Sequence, residues 1–219
     1  MKALKSTLFL ALIISFMACT EKGVQKGETT ATENGTEQTS VVRGTEFKKI
    51  EPTEIPGNAI QMIANEWMLI TAGNKESYNT MTAAWGTLGN LWSKPVSTCY
   101  IRPERYTYGF IEKSEYYTLC FFDEEYREAL QYCGTTSGRD HKEQNKAEKA
   151  GFTPAYTDNG TVYFKEAYLV LECKKLYSEQ FNAESFTSDV PMKDGTYNTT
   201  PKAEMHKYYI GEIVNCWLR

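Results

Sequence analysis

Six segments dense in β-branched and aromatic residues follow one another along the chain, and they constrain its fold more than any other feature. Side chains of this kind favour extended strands. The first two segments flank residues 73–77, a connection rich in turn formers, which predicts a β-hairpin. The six predicted strands are residues 67–72, 78–85, 96–101, 116–122, 167–176 and 207–218.

Three other stretches have the composition and spacing of helices. They are residues 105–113, where Tyr108 and Ile111 are three positions apart, residues 124–132 and residues 142–149. Because strands dominate, the predicted fold class is mainly β, a β-barrel with peripheral helices.

The N-terminus has the pattern of an export signal. Lys2 and Lys5 precede an apolar run over residues 8–17, which is followed by Ala18 and Cys19. A run of ten residues, of which only Ser15 is polar, is too short to span a bilayer, which needs about 20 apolar residues in a helix. The segment resembles a bacterial lipoprotein signal over residues 1–18, with Cys19 as the lipidated residue. An ordinary secretory signal cut near Ala18, or a buried apolar helix, are the alternatives.

Residues 19–44 are poor in large apolar side chains, so they predict a flexible tether that holds the remaining domain, residues 45–219, at a membrane outside the cytoplasm. Loss of residues 1–18 removes two lysines and changes the formal net charge from −4 to −6. That acidity argues against a nucleic-acid partner.

Five cysteines remain beyond Cys19, and four of them lie inside strand-like segments. Free cysteine commonly behaves as a small buried hydrophobe. The sequence has no CxxC or His–Cys spacing typical of a metal site, so no metal is expected. We therefore predict buried thiols rather than a disulfide framework.

The strand that ends at Trp85 is a candidate surface for a flat ring. Ala83 and Ala84 are small, and Thr80 and Thr82 share one face by the two-residue strand period, so their hydroxyls are expected at the edge of a bound ring. The alternative is an ordinary barrel strand with one half-buried face.

Two polar segments are candidate phosphate sites, because hydroxyls, basic side chains and free amides at a helix start bind anions. One contains Arg102, Arg105, Tyr106 and Thr107 around the start of a predicted helix. The other is residues 135–142, which carries Ser137, Arg139 and Lys142. Either segment alone is also compatible with an ordinary solvated connection.

Residues 58–138, together with residues 206–213, resemble the flavoredoxin branch of the flavin reductase-like proteins, which are FMN-binding split barrels. The resemblance implies that residues 81–85 line the flavin ring. It also implies that Arg102, Tyr106 and Thr107 reach the ribityl phosphate, and that the loop from Cys133 to Lys142 closes over it. The predicted FMN-binding residues are Thr80, Met81, Thr82, Ala83, Ala84, Trp85, Arg102, Tyr106, Thr107, Cys133, Gly134, Thr135, Ser137, Gly138, Arg139, Asp140 and Lys142.

The same resemblance implies a homodimer with FMN near the subunit interface, and NAD(P)H or a protein as electron donor. His206 is the candidate catalytic residue, since histidine changes charge near neutral pH, and a solvent-facing role is the alternative. Cys133 is a candidate redox thiol, although packing is favoured.

Neither a Ser-His-Asp arrangement nor a GxGxxG fingerprint is found. Two functions stay open: a membrane-tethered flavin reductase or electron carrier, and a lipoprotein that binds flavin or another planar ligand without turnover.

Overall fold

The computed structural model describes residues 43–141, 144–189, 197 and 205–219. The predicted signal peptide, the lipidated Cys19, the tether up to residue 42 and Lys142 lie outside the described residues. Among the residues that are described, no helix combines the length and apolarity needed to cross a membrane.

Antiparallel strands make up most of the structure, and each of the six predicted strands is present. The strands are β1 (Lys48–Lys49), β2 (Met68–Gly73), β3 (Tyr78–Ala83), β4 (Gly86–Leu91), β5 (Lys94–Ile101), β6 (Tyr116–Phe121), β7 (Pro154–Tyr156), β8 (Val162–Phe164), β9 (Leu169–Gln180) and β10 (Lys207–Leu218). The predicted hairpin is confirmed as the β2–β3 pair, in which Met68 is opposite Ala83 and Gly73 is opposite Tyr78.

The main sheet rolls up on itself. Its strands lie in the order β3-β2-β6-β9-β10-β5-β4, with β1 added to β10. The two ends of this path, β3 and β4, are joined by only Ala84 and Trp85. Because each residue spans at most about 3.8 Å, Ala83 and Gly86 must lie close together. The flanks of the sheet therefore meet at this corner, which gives a barrel that is split between β3 and β4.

Helices lie on the periphery, as predicted. They are α1 (Ala59–Gln61, continued by a π-turn over Met62–Glu66), α2 (Tyr106–Lys113), α3 (Arg127–Thr135) and α4 (Lys146–Lys149), with short 3₁₀ turns at Pro52–Glu54, Glu124–Tyr126, Gly138–Asp140 and Ala183–Ser185. The predicted helix over 105–113 is confirmed as α2. The one over 124–132 is a 3₁₀ turn followed by α3, and α4 is shorter than predicted.

Two apolar clusters hold these layers together. One includes Met68, Ile70, Tyr117 and Tyr209. The other joins strand residues such as Leu69 to Leu130 of α3 and Ala147 of α4. The prediction of buried thiols is confirmed for the described part of the chain, where the five cysteines, Cys99, Cys120, Cys133, Cys173 and Cys216, are free and buried.

The sequence patterns missed strand β4 because its hairpin has an unusual turn. Leu91 pairs with Lys94, which leaves Trp92 and Ser93 as a two-residue loop with φ of 53° and 58°. Two positive φ values define the turn type that normally selects Asn-Gly. Trp-Ser carries no such signal. The small β7–β8 hairpin and α1 were also missed.

Candidate functional site

Two cavities adjoin each other where the β3–β4 corner faces α2 and the segment that follows α3. The loop cavity, about 270 Å³, is lined by Asn79, Met81, Glu104, Arg105, Tyr106, Thr107, Thr135, Thr136, Ser137, Gly138, Arg139 and Lys146. The strand cavity, about 420 Å³, is lined by Met81, Thr82, Ala83, Ala84, Trp85, Tyr100, Arg102, Glu104, Arg105 and His206. Met81, Glu104 and Arg105 line both, so the two cavities form one elongated cleft.

The face of β3 that lines the loop cavity is not the face of Thr80 and Thr82 that was predicted. Asn79 and Met81 line that cavity, whereas Thr80 is fully buried and its hydroxyl donates to the carbonyl of Ile70 at 3.2 Å. The predicted role of the Thr80 hydroxyl toward a ligand is therefore wrong. Thr82 does line the strand cavity, but its hydroxyl proton is donated to the Leu130 carbonyl of α3.

Positive charge is concentrated along the cleft of an acidic protein. Three of the chain's six arginines, Arg102, Arg105 and Arg139, line it. Arg105 donates to the Gly134 carbonyl at 3.1 Å, and Arg139 donates to the Glu104 carbonyl at 3.0 Å while its guanidinium lies 5.2 Å from the Tyr106 ring centre. These contacts hold the arginines at the rim of the cavities, where an anionic ligand can reach them.

The N-terminus of α2 opens onto the loop cavity. Tyr106 and Thr107, the first helical residues, line it, and no described side chain caps this end. Backbone N–H groups at such an end, with the helix dipole, favour an anion.

Gly138 allows the loop over residues 135–139 to approach β3 closely. A Cβ atom on Gly138 would lie 2.0 Å from Oδ1 of Asn79 and 2.8 Å from the Tyr106 ring. Asn79 is held in place, because its amide donates to the Thr107 hydroxyl at 2.7 Å and to the Thr80 carbonyl at 3.1 Å. Only glycine fits between these two side chains without displacing them.

Lys146 of α4 is buried beneath the loop cavity. Its ammonium donates to the carbonyls of Cys133 and Thr136, so it fixes the end of α3. Burial lowers the pKa of Lys146 to about 8. The Arg105 charge lowers this pKa further, whereas Cys133 raises it. The amine is therefore mostly charged at pH 7 and adds to the positive character of this cavity.

The strand cavity has small side chains on one wall and aromatic rings on another. Ala83 and Ala84 line it beside Trp85, which is 52% exposed and lies 5.1 Å from the His206 ring. The Tyr197 hydroxyl lies 2.7 Å from His206 Nδ1. His206 thus lies between two aromatic residues.

His206 does not titrate near neutral pH. Burial, with the charges of Arg102 and Arg105, lowers the pKa of His206 to about 4. The ring is therefore neutral at pH 7, and both the predicted charge change near neutrality and the solvent-facing alternative are wrong.

Most of the predicted site residues meet in this cleft although they come from four separate segments. Those that line it are Met81, Thr82, Ala83, Ala84, Trp85, Arg102, Tyr106, Thr107, Thr135, Ser137, Gly138, Arg139 and His206. Four predicted residues do not line it: Thr80, Cys133, Gly134 and Asp140.

The last three of these fail for identifiable reasons. Cys133 is fully buried, and burial raises the pKa of its thiol to about 11, so the group is protonated and packs rather than reacts. Gly134 packs against Thr82 and offers its carbonyl to Arg105. Asp140 ends the 3₁₀ turn that Ser137 caps, and its side chain is exposed.

Sequence reasoning missed several residues of the cleft, namely Asn79, Tyr100, Glu104, Thr136 and Lys146. The two-residue period of β3 offered a signal for Asn79, because it shares a face with Met81. Lys146 gave none, since a buried lysine in a short polar helix has the same pattern as a solvated one.

The cleft has the features that an FMN molecule requires. Its loop cavity offers charge, hydroxyls and a helix start for a phosphate, and its strand cavity offers small side chains beside aromatic rings for a flat ring. Within the described residues, no group of three or more side chains could hold a metal ion.

Comparison with known protein families agrees with the resemblance noted in the sequence. The model of the flavin reductase like domain family matches residues 60–219. A search of curated proteins gives no match.

Three of the solved structures with a similar fold have low sequence identity to this chain. Flavoredoxin from Methanosarcina acetivorans has a TM-score of 0.54 and 19% identity, covering 70% of this chain and 68% of that one. The FMN-binding protein from Thermus thermophilus has a TM-score of 0.54 and 17% identity, and the match covers 78% of this chain and 82% of that one. Flavoredoxin of Desulfovibrio vulgaris has a TM-score of 0.52 and 21% identity, and the match covers 70% of this chain and 69% of that one. These likenesses show a shared split-barrel fold.

Proposed function

The chain belongs to the flavin reductase-like domain family, and on that premise we propose that it binds FMN in the cleft and acts as a flavin-dependent oxidoreductase. The family membership confirms the resemblance read from the sequence. We further propose an orientation for FMN in the cleft, an electron donor, a homodimer and a membrane tether.

The main support for FMN binding is the set of residues that line the loop cavity. Basic side chains, hydroxyls and the open N-terminus of α2 converge there, from segments more than 20 residues apart in the chain. In this arrangement Arg105, Arg139 and Lys146 supply charge, and Ser137 supplies a hydroxyl, to the phosphate of FMN. Convergence of this kind is what anion recognition requires.

The strand cavity would hold the isoalloxazine ring, against Ala83, Ala84 and Trp85. When bound, FMN supplies the redox chemistry, since it accepts and passes on hydride or single electrons. The chain's part is to bind and orient it. His206 is neutral at pH 7 and is held by Tyr197, so it can position the ligand by a hydrogen bond but is a poor proton source.

The proposal includes a homodimer that covers an apolar groove beside the cleft. Ile60, which is 79% exposed, and Trp85 line this groove with Ala84 and Tyr100, which also line the strand cavity. An exposed apolar surface of this kind is typical of an interaction site. Light scattering on the purified chain tests the dimer, and a monomer at all concentrations would contradict it.

Absorption spectroscopy of the purified chain, reconstituted with FMN, tests the cofactor. A bound flavin gives a shifted, structured visible spectrum after removal of free FMN. A chain that stays colourless contradicts both the oxidoreductase and the alternative of a flavin-binding lipoprotein.

Anaerobic addition of NADH or NADPH separates turnover from binding. Bleaching of the bound flavin supports NAD(P)H as donor. If the nicotinamides fail but dithionite bleaches the flavin, NAD(P)H is excluded as donor, and a protein donor or a protein that binds flavin without turnover remains.

Membrane attachment through a lipid on Cys19 is the last element of the proposal, and it rests on the sequence pattern of residues 1–19. Fractionation of cells that produce the wild-type chain or Cys19→Ser tests it. Release of the variant from the membrane fraction is expected, whereas identical fractionation would contradict lipidation.

A further inference from the structure

Polar contacts hold both ends of α2, but only the N-terminal end faces the cleft. There, Tyr106 and Thr107 line the loop cavity, and the Thr107 hydroxyl accepts from the Asn79 amide at 2.7 Å. The C-terminal end lies outside both cavities of the cleft and against strands β9 and β10. Eight helical residues rise about 1.5 Å each, so about 12 Å separate the two ends.

Lys175 of β9 binds the C-terminal end of α2. Its ammonium donates to the Ile111 carbonyl at 2.6 Å and to the Glu112 carbonyl at 3.0 Å. Both carbonyls belong to the last turn of the helix, where carbonyl groups have no partner within the helix. The backbone of Lys175 is held to the same segment, because its N–H donates to the Glu115 carbonyl at 2.9 Å.

A β-bulge in β9 lies next to this lysine. In the pairing with β10, Gly211 is opposite Lys175 and Ile210 is opposite Tyr177, so Leu176 has no partner of its own. Bulges bend a strand, change the direction of the side chains beside them and are common next to functional sites. The bulge is therefore a second observation, independent of the hydrogen bonds, that marks this part of β9 as specialised.

Glu112 attaches the same end of α2 to β10. Its carboxylate accepts from the Lys207 ammonium at 2.9 Å and from the Tyr209 hydroxyl at 2.9 Å. Burial opposes ionisation here, but the hydrogen bonds from Lys207 and Tyr209 lower the pKa of Glu112 below its ordinary value. The carboxylate is therefore charged at pH 7, and two neighbouring strands hold the C-terminal end of the helix.

The length of α2 decides how Lys175 can act on the cleft. Lys175 lines neither cavity, and its ammonium lies about one helix length, about 12 Å, from the N-terminal turn. This exceeds the screening length of about 8–10 Å at ordinary salt, so much of its Coulomb effect on an anion there is screened. The position of the helix, in contrast, fixes the direction of the backbone amides of its first turn.

We propose that Lys175 is a positioning residue of the flavin site, which holds the C-terminal end of α2 so that the amides of its first turn point at the flavin phosphate. The assignment rests on the proposed flavin function. Lys175 itself touches no part of the ligand. Its loss should therefore weaken the binding of a flavin that carries a phosphate and leave unchanged the binding of riboflavin, which has none.

Paired titrations with FMN and riboflavin, followed by quenching of flavin fluorescence, test this role in the full-length chain. Lys175→Met keeps the apolar stem but removes the ammonium, and FMN should bind about 3–10-fold more weakly while the affinity for riboflavin stays the same. Lys175→Arg keeps donors for the two carbonyls and should restore most of the affinity for FMN.

Lys174→Met is the matched control for loss of charge. Lys174 is the adjacent residue, lies on the other face of β9 by the two-residue period and pairs with Glu115 at 3.1 Å. The variant loses the same charge at a similar distance from the cleft, and both flavin affinities should stay at the wild-type value. A loss of FMN affinity as large as that in Lys175→Met would overturn the positioning role, since charge alone would then explain it.

Salt separates position from charge in a second way. The ratio of the FMN affinities of wild type and Lys175→Met should be the same at about 0.05 M and about 0.5 M NaCl, whereas a direct charge effect would shrink at the higher concentration. If Lys175→Met does not fold, Glu112→Gln, which keeps the shape of that side chain, should lower the preference for FMN over riboflavin in the same way.

Two results would overturn the positioning role while leaving the proposed function intact. One is an unchanged preference for FMN over riboflavin in Lys175→Met or, where that variant does not fold, in Glu112→Gln. The other is an equal loss of affinity for both flavins, which would mean a general loss of structure. Failure of the wild type to bind either flavin would overturn the proposed function and the positioning role with it.

Discussion

The two ends of the cleft differ in what they offer a ligand. The loop cavity gathers charge and hydrogen-bond donors from α2, α4 and the loop between α3 and α4, and it is built around the close contact of Gly138 with Asn79. The strand cavity offers alanine side chains, the half-exposed Trp85 and a histidine that is neutral at pH 7. Under the proposed function, the loop cavity would bind the phosphate, and the strand cavity would hold the flavin ring against small and aromatic side chains.

The two cavities share part of their lining, which comes from β3 and from the residues that precede α2. Met81, Glu104 and Arg105 line both cavities. Loss of a charge that lines one cavity, such as that of Arg139, should change that end alone, whereas a change in the backbone position of the shared residues should disturb both.

The largest effect is expected from closing the loop cavity. Gly138→Leu places a side chain where a Cβ already lies 2.0 Å from Asn79, so the loop must move away from β3. FMN affinity measured by fluorescence titration should fall at least about 100-fold, or about 2.7 kcal/mol. Gly89→Leu should leave that affinity unchanged, because Gly89 lies outside the cleft and a Cβ there would have no atom within 4 Å. Wild-type affinity in Gly138→Leu would refute a phosphate site here.

The strand cavity should respond instead to acid. The folded pKa of His206, about 4, is below the ordinary value of 6.5, so the unfolded chain takes up a proton first as pH falls. The stability from this residue is complete above pH 6.5 and is lost toward pH 4, by about 2–3 kcal/mol.

Urea unfolding at pH 7.5 and pH 4.5 measures the effect of His206. His206→Gln should show a smaller loss of stability than the wild type between the two values. The same pH dependence in both proteins would mean that His206 is not buried in the neutral form.

Removal of one cation from the loop cavity should weaken binding without changing the strand cavity. Arg139→Ala is expected to cost about 1.5–3 kcal/mol of FMN affinity, the scale of a hydrogen bond to a charged group. Arg127→Ala, an arginine of α3 outside the cleft, is the control. Isothermal titration calorimetry measures both, and unchanged affinity in Arg139→Ala would remove Arg139 from the site.

The smallest effect is expected from the titration of Lys146. Its pKa of about 8 means that the amine is charged at pH 7 and loses its proton above pH 8. Because a phosphate monoester is already ionised above its pKa of about 6, FMN affinity should fall by about 3–10-fold from pH 7 to pH 9.5. Lys146→Met should bind more weakly at pH 7 and show less dependence on pH.

The main sheet was predictable because its strands carry alternating or continuous apolar patterns that do not depend on distant residues. Strand β4 was not, since its Trp92-Ser93 turn has positive φ without the residues that favour it. Here the tertiary structure holds a turn that local propensity disfavours.

The site was predictable in its composition but not in its contacts. Ser137 and Arg139 could be chosen because a polar loop with glycine before a helix is a plausible anion site. The burial of Thr80 and of Lys146 depends on which elements cover them, Thr71 and Ile70 in one case and the end of α3 in the other. Such long-range packing leaves no local signal in the sequence.

We propose above all that the loop cavity binds the phosphate of a flavin whose ring lies in the strand cavity. Riboflavin lacks that phosphate and is otherwise identical to FMN, so the difference between their affinities measures the contribution of the loop cavity alone. We expect FMN to bind the wild-type chain at least about 100-fold more tightly than riboflavin, and Arg139→Ala to narrow the difference. Equal affinities for FMN and riboflavin would contradict the account.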